Sequence, residues 1–117
     1  MAKKKSTAFG GLDISEEVIA TIAGAAALEC YGLVGMASRK IIDGFAEMLG
    51  RESLSKGVAV VLDGREVSIE LYIIVSYGVK ISEVANNVRE RVKYSVENAT
   101  GLVVREINVN VQGVRVN

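Results

Sequence analysis

Proton transfer near neutral pH falls most often to histidine, and this chain of 117 residues contains none. General acid–base chemistry would rest on carboxylates, lysines, the four tyrosines or the single cysteine, Cys30, and the pattern brings no pair of these to a shared cleft. Cys30 has no second cysteine for a disulfide and no histidine to lower its pKa, so it reads as a small buried hydrophobe. Gly10-Gly11 is not preceded by a strand and forms no phosphate-cradling motif, and no spacing of Cys, His or clustered acids suits a metal. No catalytic, cofactor-binding or metal-binding residue is expected, and the chain reads as a non-enzyme.

The residues that could mediate a contact lie on strands. Asp63-Gly64 separates Val58–Leu62 from Arg65–Ile69, the signature of a β-hairpin with a two-residue turn. With Asp63 and Gly64 as the central residues, Leu62 stands opposite Arg65, Val60 opposite Val67 and Val58 opposite Ile69. Val58, Val60, Val67 and Ile69 then share a buried face that continues through Leu71, Ile73 and Val75. Val61, Glu66, Glu70, Tyr72, Ile74 and Ser76 take the other face. In the last strand, Leu102–Gly113, Ile107, Val109 and Val111 alternate with Glu106, Asn108, Asn110 and Gln112, as in a sheet with one covered and one wet face. Val61, Tyr72, Ile74, Asn108, Asn110 and Gln112 are therefore the candidate protein interface.

Two helices must position these strands. Ser15 is a natural N-cap, Glu16 and Glu17 put negative charge in the first turn, and Ile14 with Ile19 has the spacing of a hydrophobic staple, which predicts a helix from Asp13 to Glu29. Its apolar body of about eleven residues is too short to span a bilayer, which needs about twenty. The small residues Ala23 to Ala27 suit close packing within the domain or burial in a homodimer. The second long helix, Ser82–Thr100, carries an apolar stripe of Ile81, Val84, Ala85, Val88, Val92, Val96 and Ala99, and ends at Gly101 as its C-cap. Gly78 marks the turn that leads into it. Between the first helix and the hairpin, Tyr31–Ala37 reads as a short strand, Ile41–Gly50 as an amphipathic helix, and Ser53–Gly57 as a loop.

The fold class that follows is α+β: an N-terminal helix, then β-α-β-β-α-β, with a four-stranded, mainly antiparallel sheet and the helices packed on one face in a ferredoxin-like split arrangement. Residues 1–11 read as a flexible basic tail and 12–117 as one domain. The lysines at positions 3 to 5 are not followed by the apolar core of a signal peptide. Fourteen basic residues against fourteen acidic ones remove the broad positive field that non-specific nucleic-acid binding needs. The split fold also serves RNA-binding modules, but here Glu66 and Glu70 would flank Tyr72 on the platform, so nucleic acid is not the expected partner. An RNA-binding or small-ligand regulatory role stands as the alternative.

The blocks Ile14–Ile19 with Ile22–Ala26, Tyr31–Met36, Val75–Val84, Thr100–Leu102 and Ile107–Val114 resemble, in order, those of the alkaline shock protein family, the envelope stress response proteins of Gram-positive bacteria. The short chain without extended tails is more similar to the housekeeping members than to the stress-induced ones. The resemblance implies a cytoplasmic, non-enzymatic protein of cell-envelope homeostasis that self-associates as a homo-oligomer. It also implies that a small membrane-anchored partner holds such a protein at the inner face of the membrane, and a link to a fatty-acid kinase. The matching positions are glycines, small residues and core hydrophobes, so the resemblance carries over no catalytic residue.

Overall fold

A computed structural model of the chain describes residues 15–37, 48–49 and 57–116. The elements in order are α1 (Glu16–Leu28), β1 (Leu33–Ala37), β2 (Met48–Leu49), β3 (Val58–Asp63), β4 (Glu66–Ser76), α2 (Ile81–Thr100) and β5 (Val103–Arg115). The basic tail, Ile14 of the staple, the loop residues 53–56 and most of the expected 41–50 helix lie outside the described residues. Met48 and Leu49 correct that helix at its end: they pair antiparallel with Ala37 and Met36 as β2.

The sheet is built on β4. Its residues alternate as the two-residue period of a strand requires, and Val67, Ile69, Leu71, Ile73 and Val75 are each at most 1% exposed beneath the helices. β3 pairs antiparallel with the first half of one β4 edge, and β1 pairs antiparallel with the second half of the same edge. β5 occupies the whole of the other edge, in parallel, from Glu66↔Val103 to Ser76↔Arg115. The α+β class, the leading helix and the placing of α2 on the covered face follow the sequence reading; α1, whose seat it left open, packs on that same face, and the split connectivity does not hold. β4 has 11 residues and β3 only 6, so β1 fits end-on beside β3 instead of lying between β4 and the return strand. α2 is then the crossover that a parallel pair needs.

The hairpin register differs from expectation by two residues. Asp63 pairs with Glu66, Leu62 with Val67, Val60 with Ile69 and Val58 with Leu71, so the turn residues are Gly64 and Arg65, with Gly64 at φ +66°. A slip of two keeps every side chain on its face, whereas a slip of one would turn the core outward. The observed register also forms three apolar cross-strand pairs on the covered face where the expected one forms two.

α1 begins at Ser15, whose hydroxyl accepts from the Val18 N–H (3.2 Å). Its Ala23, Gly24, Ala26 and Ala27 are buried within the domain's own core, against α2 and the sheet. α2 buries Val84, Val88, Val92, Val96 and Thr100, a strict four-residue repeat, and Gly101 closes it in the left-handed conformation. Ile81 and Ala99 fall outside this stripe and are exposed. Thr100 is buried without penalty because its hydroxyl donates to the Val96 carbonyl (2.7 Å) and accepts from the Leu102 N–H (3.1 Å). Gly32, at φ +90°, lies so close to α2 that an added Cβ would stand 2.8 Å from Val84 Cγ2.

Candidate functional site

The face of the sheet away from the helices carries the expected interface residues, and their local geometry sorts them. Val61 is on β3, an edge strand, and is 64% exposed. Tyr72 on β4 is half-buried; its hydroxyl donates to Glu70 Oε1 (2.9 Å), the residue two positions back on the same face. Asn108 is exposed and donates to Glu106 Oε2 (2.9 Å), while the half-buried Asn110 donates from Nδ2 to the Leu71 carbonyl (3.2 Å). The β4–β5 ladder pairs Glu70 with Asn108 and Tyr72 with Asn110, so these four share one patch. Gln112 is the extra residue in a register shift between Val111 and Gly113. Ile74 is corrected from exposed interface to buried: it is 3% exposed, and its side chain lies over its ladder partner Gly113, where an added Cβ would stand 3.9 Å from Ile74 Cγ1.

Of the turn and cap residues, Gly64, Gly78 and Gly101 all have positive φ, whereas Asp63 is the last residue of β3 and not a central turn residue. Arg105, the extra residue of β5 at the register shift between Val104 and Glu106, lies 3.6 Å from Glu66. On this face Tyr72 is bonded to Glu70 and Asn108 to Glu106, while Asn110 is held by a backbone carbonyl. Such a patch can be exposed or covered without a charge being orphaned.

A second surface escapes the sequence reading. At the C-terminal end of α1, Glu29, Cys30, Tyr31, Asn87, Glu90, Arg91 and Tyr94 line an open cleft of about 450 Å³. It is continued by a groove of about 390 Å³ between the helices, lined by Ile22, Ala25, Ala26, Ala99 and their polar neighbours, with Glu29 and Tyr94 common to both. Arg91 is tied to Glu29 (3.2 Å). The signal in the sequence is that Asn87, Glu90, Arg91, Tyr94, Ser95, Asn98 and Ala99 recur at three- and four-residue steps, a polar stripe holding one of the four tyrosines. Burial pushes the Cys30 thiol up from its ordinary pKa, with Arg91 pulling the other way and Glu29 adding to the rise. That keeps it a thiol rather than a nucleophilic thiolate.

Among the described residues no group of three or more histidine, cysteine or acidic side chains is placed to hold a metal, and no helix is long and apolar enough to cross a membrane. No solved structure matches the chain. It is 54% identical over 117 residues to YloU, an uncharacterized protein of Bacillus subtilis, covering 99% of this chain and 98% of that one. It is 44% identical to the uncharacterized protein Spy1614 of Streptococcus pyogenes, covering 99% and 97%, and 35% identical to the uncharacterized protein YqhY of B. subtilis, covering 95% and 82%. The alkaline shock protein 23 family, described by a cell envelope-related function, matches residues 4–116. The chain belongs to that family.

Proposed function

We propose that the protein is a non-catalytic interaction module of the cell envelope, which binds copies of itself and a membrane-anchored partner from the cytoplasmic side. The family's envelope-related function supports the setting. The observation that carries the mode of action is the sheet face away from the helices, where Val61 is 64% exposed on β3 opposite Ser68, and the half-buried Tyr72 ring stands further along β4 among hydrogen-bonded polar side chains. A tyrosine anchor and a separate exposed valine on one largely polar face suit a protein contact of moderate size. The helix-covered face has no comparable exposure because it is the core.

The test is affinity purification from membrane and soluble fractions with wild type and with Val61→Ser/Tyr72→Ala, the double variant's fold being checked by circular dichroism. A small membrane protein recovered by wild type and lost by the variant supports the reading. Equal recovery by both moves the contact elsewhere. Enrichment of a lipid-metabolic enzyme, such as a fatty-acid kinase, would redirect the function towards lipid metabolism.

A further inference from the structure

The two flanks of α2 are finished differently. On the β5 flank the side chains are bound within the molecule: Arg89 donates from Nε to the Ile107 carbonyl (3.4 Å), Lys93 pairs with Glu97 (3.4 Å), and Glu97 accepts from the Val104 N–H (2.9 Å). On the α1 flank, Arg91 is neutralised by Glu29, but the side chains of Asn87, Glu90 and Tyr94 have no hydrogen bond or ion pair among the described residues. Tyr31 and Tyr94 are 86% and 66% exposed at this cleft. Two carboxylates against one guanidinium leave it a net negative charge, next to two π-faces, the combination that attracts an organic cation.

The cleft opens into an apolar groove floored by small residues. Ala25, Ala26 and Ala99 allow a close approach of backbone, and Ile22 gives apolar area. The stripe from Asn87 to Ala99 runs along about 18 Å of helix at 1.5 Å per residue, the length of a helix of about twelve residues. A groove between two helices, with Ile22, Ala25, Ala26 and Ala99 as its apolar part, Ser95 and Asn98 beside them, and an anionic end with aromatic rings, is complementary to an amphipathic helix with a basic residue at the matching end.

We propose that the α1–α2 groove receives an amphipathic helix of a partner protein, with its apolar face on Ile22, Ala25 and Ala99 and a lysine or arginine against Tyr31 and Tyr94 beside Glu90. This surface lies on the helix side of the molecule and is separate from the open sheet face. A protein carrying both can hold two partners at once.

The probe is a capped helical peptide with leucines at i, i+3, i+4 and i+7 and one lysine a turn beyond, with a Lys→Glu analogue as its control. Both are titrated into the isotope-labelled full chain and followed by amide chemical shifts. The expected result is saturable shifts at Ala25, Tyr31, Glu90, Tyr94 and Ala99 with the lysine peptide, and about tenfold weaker binding by Glu90→Lys, a substitution at an exposed site. Tyr94→Ser should weaken it about threefold, the measure of one exposed cation–π contact, and Val61→Ser/Tyr72→Ala should leave it unchanged. Equal binding of the two peptides, insensitivity to Glu90→Lys, or shifts confined to the sheet would overturn the proposal. So would the same amides shifting with protein concentration alone, which would make a second copy the occupant.

Discussion

The two faces of β4 are made by one strand and do opposite things. Val67, Ile69, Leu71, Ile73 and Val75 are sealed under α1 and α2, while Ser68, Glu70 and Tyr72 alternate with them on a face where Tyr72 and Glu70 bond to each other. The covered face obtains its stability from apolar area removed from water, about 25 cal/mol per Å². The other face is mixed: Ser68, Glu70 and Tyr72 are half-buried and Ile74 is buried. Ile74 breaks the alternation: it is 3% exposed on the face where Glu70 and Tyr72 are half-buried. Exposure on the second face is thus not set by residue parity alone.

The comparison is broken most severely from the covered side. Val92 is fully buried on α2, and Val92→Asp places an unpaired charge in the core, so the protein is expected to unfold or aggregate, a loss of more than about 4 kcal/mol. Chemical denaturation measures it, and a folded, monomeric variant would mean that α2 is rotated. Gly32→Ala comes next, at about 2 to 3 kcal/mol, because it combines a positive φ with a 2.8 Å approach to Val84 in the packed layer. Its melting curve should shift more than that of Gly64→Val, where nothing lies within 4 Å and only backbone strain of about 1 to 2 kcal/mol applies. The reverse order would show that the glycine contact between α1's end and α2 is slack. Lys93→Ala, exposed and held only by an i,i+4 ion pair, should stay within about 0.5 kcal/mol of wild type.

These contrasts also mark what could be read before the fold was seen. Ser15, the Val84-Val88-Val92-Val96 stripe, Gly101 and the faces of β4 were legible because caps and periodicity are local. The hairpin was legible to within a slip of two, since pattern fixes the face and only the turn fixes the register. The parallel seat of β5 was not, because it depends on β3 being too short to fill its edge of β4, a matter of competition between distant segments. At the site, Val61 and Tyr72 emerged from alternation alone, but that alternation does not encode the burial of Ile74. The groove at Tyr31 and Tyr94 required the juxtaposition of two helices that no single stretch encodes.

The central claim is that the sheet's uncovered face acts by binding protein and is not needed for folding. Sedimentation velocity across a concentration series, on wild type and on Val61→Ser/Tyr72→Ala with matched circular dichroism, tests it most directly. The account predicts concentration-dependent association for wild type and a folded monomer for the double variant. An unfolded variant, or one that associates as wild type does, would contradict it.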